Sequence, residues 1–457
     1  FQEVEQMNLF KDMVCYQEEV RDPSRMAEVL NRVIEKAIRG SAPAQINVPR
    51  DYWTQVIDIE LPPIVRFERQ GGGKDAIQRA AKMLSDAKFP VILSGAGVVI
   101  GDAINECKAL AEKLDAPVCN GYQHNDSFPG SHPLAVGPLG YNGSKAAMQL
   151  ISKADVVLAL GTRLNPFSTL PGYGIDYWPK NANIIQVDMN PDRIGLTKKV
   201  TVGIAGDAKQ VAKQIFDKLS SNAGDSGRED RKNLIHQTKS AWLQTLTSLD
   251  HEDDDPGTVW NKEARERDKD RMSPRQAWRA IQAAMPEDAI ISSDIGNNCA
   301  IGNAYPTFEK PRKYLAPGLF GPCGYGFPSI LGAKIGCPDT PVIGFAGDGA
   351  FGISMNEMSS CAREEWPAIT MVIFRNYQWG AEKRNSILWF DDNFVGTELD
   401  PELSYAKVAN ACGLKGVTVK TMEETTKAIK QSCDDQKKGI TTFIEVILNQ
   451  ELGEPFR

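Results

Sequence analysis

The sequence is poor in the residues that usually build metal or disulfide sites. Histidine occurs only four times in 457 residues, which argues against a His-rich metal site. The nine cysteines are scattered without a C-x-x-C pair, which argues against a zinc ribbon or a disulfide framework and fits reduced thiols. No apolar run approaches the ~20 residues of a transmembrane helix. These absences predict a cytoplasmic protein that is not inserted in a membrane.

Positive charge is not in excess either. Lys and Arg total 52 against 59 Asp and Glu, so the net charge is −7. A mildly acidic chain has no general electrostatic reason to bind nucleic acid or an anionic membrane. Hydrophobic residues make up 42% of the chain and charged residues 24%, which is enough apolar material for several buried cores. The composition therefore predicts a multidomain globular protein without a nucleic-acid partner.

Strand and helix patterns alternate along two long parts of the chain. Continuous apolar runs such as PVILS are typical of strands buried on both faces, and amphipathic runs such as INECKALAEKLD separate them. This alternation predicts the α/β fold class with open parallel sheets. The first 60 residues have the pattern of the end of a domain whose other elements would precede Phe1. The predicted units are that tail at 1–60, a central α/β domain at 76–218, a charged linker at 219–272 and a second α/β domain at 273–457.

A glycine-rich turn follows the first buried strand of the central domain. GAGVVIG at 95–101 resembles a dinucleotide-binding turn, but its third glycine comes one residue late for G-x-G-x-x-G. No acidic residue closes a second strand about twenty residues further on, where a ribose hydroxyl would need one. Tight packing of a strand against a helix also explains these glycines. We favour the packing explanation, and nicotinamide binding stays the alternative.

The stronger candidate site lies in the second α/β domain. The apolar strand PVIGFA leads to Gly347, Asp348 and Gly349, and the strand ITMVIFR leads to Asn376, 28 residues after Asp348. That spacing fits one helix and one strand, so both side chains are expected at the carboxyl ends of neighbouring parallel strands, where such sheets bind ligands. A carboxylate, an amide oxygen and the backbone carbonyl of Gln378 suit Mg²⁺. The sequence therefore predicts a magnesium site that also binds a diphosphate.

This spacing of Gly-Asp-Gly and Asn resembles the fingerprint of thiamine-diphosphate enzymes. The family's usual Asn-Asn ending is Arg375-Asn376 here, so the second Asn, which is the family's metal ligand, is kept. FQEV, IIQVDMNPDRIG, SSDIGNN and GYGFPSILGAK are similar to segments of acetolactate-synthase-like enzymes. The long run FRNYQWGAEKRNSILWFDDNFVGTELDPELSYAKVA is similar to the sulfoacetaldehyde acetyltransferase family within that superfamily.

The resemblance implies pyrimidine-binding, central and diphosphate-binding domains and a reaction that uses thiamine diphosphate and Mg²⁺. It implies the substrates sulfoacetaldehyde and phosphate, with acetyl phosphate and sulfite as products. The family builds each active site between two subunits, so a homodimer or homotetramer is expected. The family's catalytic Glu lies in the pyrimidine-binding domain, and no residue of this chain matches it. Acetolactate synthase-type condensation of 2-keto acids and a non-catalytic relative with the same fold stay as alternatives.

By motif position, the resemblance also assigns residues to the metal and the cofactor. The metal ligands would be Asp348, Asn376 and the carbonyl of Gln378. Cys323 would be a compact apolar contact rather than a nucleophile, because no His lies near it in the sequence. The cofactor-binding residues would be Gly296, Asn297, Asn298, Gly321, Cys323, Gly347, Asp348, Gly349, Ala350, Asn376 and Gln378.

Three cations lie close to the metal loop and are candidates for binding the two anionic substrates. A guanidinium group suits a tetrahedral oxyanion because it forms bidentate hydrogen bonds. Arg375 replaces the family's Asn beside the cofactor, which favours a substrate-binding role for it. For Lys383 and Arg384, substrate binding and solvated surface charge are both open interpretations.

Overall fold

A computed structural model describes residues 3–63, 68–248, 268–318, 320–391 and 393–452. The chain divides into two compact units, Phe1–Arg69 and Gln70–Arg457. Every strand pair in the three sheets of the described residues is parallel, which confirms the predicted α/β fold class. None of the described helices combines the length and apolar composition that a membrane crossing requires.

The first unit contains two parallel strands and an amphipathic helix. Helix α2 (Met26–Gly40) buries Val29 and Val33 against the strands. The polar segment YQEE also forms a strand, although no apolar run marks it. Its elements are α1 (Gln6–Leu9), β1 (Tyr16–Glu19), α2 (Met26–Gly40) and β2 (Ala44–Asn47).

The central sheet has six strands in the order β5-β4-β3-β6-β7-β8. Its strands are β3 (Pro90–Ser94), β4 (Val118–Asn120), β5 (Ala135–Pro138), β6 (Val156–Leu160), β7 (Asn183–Asp188) and β8 (Val202–Ala205). Its helices are α3 (Lys74–Asp86), α4 (Ala96–Ile100), α5 (Ile104–Leu114), α6 (Lys145–Ile151) and α7 (Ala208–Lys218). The inner strands β3 and β6 are buried along their whole length, as continuous apolar runs require.

The glycine-rich turn of this sheet packs against a neighbouring turn. The N–H of Gly97 donates to the carbonyl of Gly161 at 2.8 Å. A Cβ atom added to Gly97 would lie 2.6 Å from the Cα of Gly161, and one added to Gly95 would lie 2.6 Å from its carbonyl oxygen. Close backbone packing therefore accounts for both glycines, in agreement with the packing explanation.

The predicted linker contains a long helix, α8 (Arg228–Ser248). Its side chains Arg231, Ile235 and Trp242 are buried, and Ile235 belongs to the core of the central domain. The run KSAWLQTLTSL indicates a helix here, but the polar composition does not mark its full length, because only one narrow stripe of it faces the core. Residues 249–267, with most of the charged run, lie outside the described residues, so the linker boundaries stay a prediction.

The Arg231 side chain connects α8 to the central domain through hydrogen bonds. Its buried guanidinium donates five hydrogen bonds of 2.6–2.9 Å to the carbonyls of Lys88, Leu114, Asp115, Gly224 and Ser226. Arg231→Met keeps the volume and removes every donor, so the free energy of unfolding is expected to fall by roughly 3 kcal/mol. Urea denaturation measures this loss. Lys232→Met, on the exposed face of α8, is the control, and equal losses for both variants would contradict the prediction.

The second large sheet has the order β10-β9-β11-β12-β14-β13. The chain moves outward from β9 to β10 and returns on the other side of β9 as β11, which creates a crevice at the carboxyl ends of β9 and β11. The strands are β9 (Ile290–Ser293), β10 (Tyr314–Leu315), β11 (Val342–Gly347), β12 (Thr370–Arg375), β13 (Lys415–Val419) and β14 (Thr442–Ile447). The helices are α9 (Pro274–Ala284), α10 (Asn297–Ile301), α11 (Gly326–Gly336), α12 (Asp348–Ser354), α13 (Met358–Cys361), α14 (Gly380–Trp389), α15 (Tyr405–Ala411) and α16 (Met422–Gln436).

Candidate cofactor and metal site

Asp348 stands at the junction of β11 and α12 and is buried. Its Oδ1 accepts the N–H of Gly349 at 2.9 Å, and its Oδ2 accepts the N–H of Tyr377 at 2.7 Å and Nη1 of Arg375 at 3.1 Å. Burial raises the pKa of Asp348 to about 6, although the Arg375 guanidinium opposes the rise. The three donors fix the orientation of the carboxylate.

The loop after β12 places two further oxygen-bearing side chains at the same sheet edge. The register pairs Gly347 with Phe374, so Asp348 and Asn376 follow adjacent strand ends, as predicted. Between Asn376 and Gln378, Tyr377 adopts a left-handed conformation with φ of 62°, which is uncommon for a residue with a Cβ atom. Its N–H bond to Asp348 helps to hold this sharp reversal of the chain.

The burial and hydrogen bonding of the Asn376 side chain indicate whether the site suits a metal ion. The side chain is buried, and its Oδ1 has no hydrogen-bond partner among the described residues. A buried acceptor without a partner costs about 1–3 kcal/mol, so such an atom calls for a ligand. A hard cation between this oxygen and Asp348 would satisfy it, and an all-oxygen set suits Mg²⁺. In the described residues no group of three or more His, Cys, Asp or Glu side chains is arranged to hold a metal, so amide and carbonyl oxygens would complete the set.

A second turn, at Gly296–Asn298, lies beside the metal loop. A Cβ atom added to Gly380 would lie 3.3 Å from Nδ2 of Asn297, which shows how close the two segments are. Nδ2 of Asn297 and Oδ1 of Asn298 are buried and have no hydrogen-bond partner in the described part of the chain. Next to Gly296 and Gly347, a Cβ atom would meet nothing within 4 Å. The unpaired donor of Asn297 and the open space on two glycines form a cradle that a diphosphate would fit.

Asp294, which sequence reasoning did not single out, connects β9 to the segment that contains the candidate cofactor residues Gly321 and Cys323. Its carboxylate accepts the N–H groups of Gly324 at 3.1 Å and Gly326 at 2.7 Å. Its signal in the sequence is the same as that of Asp348, an acid directly after a buried strand.

The predicted cofactor residues Gly321 and Cys323 lie in the same segment. Gly321 has φ of 66° and lies near Ile295. Burial raises the pKa of the Cys323 thiol, which agrees with a protonated contact and not a nucleophile.

The three candidate substrate cations differ in their surroundings. Arg375 is buried and directs its guanidinium to Asp348 and to the carbonyls of Asp400 and Leu403, so protein groups take the place of the predicted substrate anion. Lys383 pairs with Glu398. Arg384 is buried, which contradicts the surface-charge interpretation for this residue. It donates to the carbonyl of Leu452 and lies 4.7 Å from the ring centroid of Tyr141.

Two family models match the chain. The thiamine pyrophosphate enzyme central domain matches residues 77–215, and the C-terminal TPP binding domain matches residues 294–446. Benzoylformate decarboxylase from Polynucleobacter necessarius shares the fold, with a TM-score of 0.76 over 99% of this chain and 79% of its own at 20% identity. The fold, the oxygen-lined site and both matches define the class, a thiamine pyrophosphate enzyme.

Two curated relatives identify the family within this class. The probable sulfoacetaldehyde acetyltransferase of Rhizobium meliloti is 78% identical over all of this chain and 77% of its own length. The sulfoacetaldehyde acetyltransferase of Roseovarius nubinhibens is 74% identical over all of this chain and 76% of its own length. The chain belongs to the sulfoacetaldehyde acetyltransferase family.

Proposed function

We propose that this chain carries the cofactor and metal machinery for the conversion of sulfoacetaldehyde and phosphate to acetyl phosphate and sulfite. The observation that carries the proposal is the buried Asp348 carboxylate beside the unsatisfied oxygen of Asn376, in a chain 78% identical to a relative named for this activity. The carboxylate and the amide oxygen lie at the crevice where open α/β sheets bind ligands.

Asp348, Asn376 and the carbonyl of Gln378 hold Mg²⁺ in this proposal. Mg²⁺ held there would supply the positive charge that binds the diphosphate of the cofactor. Thiamine diphosphate, once bound, supplies a carbon nucleophile and an electron sink that no side chain can provide. The chain's own contribution is to orient the cofactor and to exclude water around it.

The remaining cofactor contacts come from the neighbouring segments. Gly296 and Gly347 leave open space for the diphosphate, and Nδ2 of Asn297 offers it a donor. Oδ1 of Asn298 is an acceptor and would suit a donor group of the cofactor. Gly349 and Ala350 continue the same turn into α12, where a Cβ atom on Gly349 would lie 2.8 Å from the Trp379 indole. Gly321 and Cys323 contact the aminopyrimidine ring in this proposal. Lys383 and Arg384 stay the candidate cations for the substrate anions.

Assembly and location complete the proposal. A homodimer or homotetramer is the expected assembly, because the family builds its active sites between subunits. A cytoplasmic location is supported by the nine cysteines, all of which are described and unpaired. The partners are then small molecules and further copies of the same chain.

A product assay on the complete protein tests the proposed reaction. With thiamine diphosphate and Mg²⁺ present, sulfoacetaldehyde should yield sulfite and acetyl phosphate only when phosphate is added. Chelation of the metal should stop the reaction, and pyruvate should release no CO₂. CO₂ release with condensation of 2-keto acids would instead indicate acetolactate synthase-type chemistry, and the absence of all products would indicate a non-catalytic relative.

A further inference from the structure

Arg375 is buried among protein groups and contacts the candidate metal ligand Asp348. The residue is 1% exposed, and its Nη1 donates to Asp348 Oδ2 at 3.1 Å. Its Nη2 donates to the carbonyls of Asp400 and Leu403, the latter at 3.1 Å, and its Nε lies 3.9 Å from Glu445. Protein acceptors therefore occupy Nη1 and Nη2, so a substrate anion would have to displace one of them there. Nε makes no hydrogen bond among the described residues and has the Glu445 carboxylate as its neighbouring charge.

The same guanidinium also contacts the loop that follows it. The Tyr377 ring contacts two guanidinium groups, with its centroid 4.3 Å from Cζ of Arg375 and 4.7 Å from Cζ of Arg271. The N–H of Tyr377 donates to Asp348 Oδ2, the oxygen that Arg375 also contacts. The stack thus stabilises the left-handed turn between Asn376 and Gln378.

A third contact of Arg375 connects the loop to the segment at 397–403. The N–H of Trp379 donates to the carbonyl of Thr397 at 2.8 Å, and the N–H of Leu399 donates to the carbonyl of Tyr377 at 2.9 Å. Arg375 binds two carbonyls further along this segment. One side chain thereby joins the strand end, the metal carboxylate and the segment that supports the metal loop.

We infer that Arg375 is a positioning residue, which presents the Asp348 carboxylate and the loop at 376–378 to the magnesium ion and does not bind a substrate anion. The inference rests on the proposed metal site. The planar guanidinium group is essential to this positioning role, because one such group contacts a carboxylate and two carbonyls at fixed angles. An ammonium group would keep the charge and lose this geometry.

The test compares Arg375→Asn, which restores the family's usual residue, with Arg375→Lys in the complete protein. Calorimetric titration of thiamine diphosphate at a series of Mg²⁺ concentrations gives the Mg²⁺ requirement for binding. We expect Arg375→Asn to raise that requirement roughly ten- to hundredfold, as for a lost charge-assisted hydrogen bond, and Arg375→Lys to raise it less. At saturating Mg²⁺ and cofactor, the KM values for sulfoacetaldehyde and phosphate should not change.

The control is Arg363→Asn, an exposed arginine of the same domain that pairs only with Glu365 among the described residues. An unchanged Mg²⁺ requirement with a raised KM for one substrate would overturn the inference in favour of anion binding. Unchanged values throughout would overturn it as well. If the Asn variant does not fold, an Arg375→Lys variant with an unaltered Mg²⁺ requirement would overturn the inferred role of the planar guanidinium group. Failure of the proposed metal site is distinct, because the unsubstituted protein would then show no Mg²⁺-dependent binding of thiamine diphosphate. Failure of the proposed reaction is distinct as well, because it would change the products and not the Mg²⁺ requirement.

Discussion

Replacing Asp348 with Asn should lower the Mg²⁺-dependent affinity for thiamine diphosphate by roughly a hundredfold or more, which corresponds to about 2.7 kcal/mol. Asp348 is the only carboxylate among the three proposed metal ligands. Without it, Mg²⁺ would face the buried Arg375 guanidinium with no anion between the two cations, and like charges repel strongly where water is excluded. Calorimetric titration with thiamine diphosphate at fixed Mg²⁺ measures the change.

The matched control for this variant is Glu423→Gln, which removes one exposed carboxylate from α16 of the same domain. Its affinity for the cofactor should stay within about twofold of the unsubstituted protein, because solvent screens an exposed charge on a helix that contributes no ligand to the proposed site. Circular dichroism checks that both variants are folded. A folded Asp348→Asn variant with normal cofactor affinity would refute the metal assignment.

The inner strands of both large sheets could be predicted from the sequence, and the edge strands could not. β3, β6, β11 and β12 have neighbours on both sides and are covered on both faces, so they appear as continuous apolar runs. The strands at the sheet edges, β5, β8, β10 and β13, are short or only partly buried, as in the segment KGVTV of β13. Such segments resemble loops, because no long apolar run marks them.

Part of the candidate site could be predicted from the sequence, and part of it could not. Asp348 and Asn376 could be found because each directly follows a buried strand, and the sheet register brings them to one edge. The partners of Arg375 could not be found, because Glu445 lies 70 residues further along the chain on β14 and meets Arg375 only through the pairing of β12 with β14. A sequence pattern shows that a cation is present, but it does not show which carboxylate neutralises it.

Replacing Asn376 with Ala is expected to separate cofactor binding from the stability of the protein without ligand. Oδ1 of Asn376 is buried and makes no hydrogen bond in the described residues, so its removal relieves a desolvation cost that offsets the lost packing. The melting temperature without ligand should therefore stay within about 2 °C of the unsubstituted value. The Mg²⁺-dependent affinity for thiamine diphosphate should fall roughly ten- to hundredfold, because one of three protein ligands is gone.

Thermal denaturation with and without Mg²⁺ and thiamine diphosphate measures both effects in one experiment. Ligand binding raises stability by about 2.7 kcal/mol when the free ligand is at 100 times its Kd, and this gain should largely disappear in Asn376→Ala. Asn385→Ala, an exposed Asn on the neighbouring helix α14, is the control and should keep the full gain. A variant that loses several kcal/mol without ligand but keeps its stabilisation by the cofactor would make Asn376 a structural residue. The unsatisfied amide oxygen would then need a partner other than the metal.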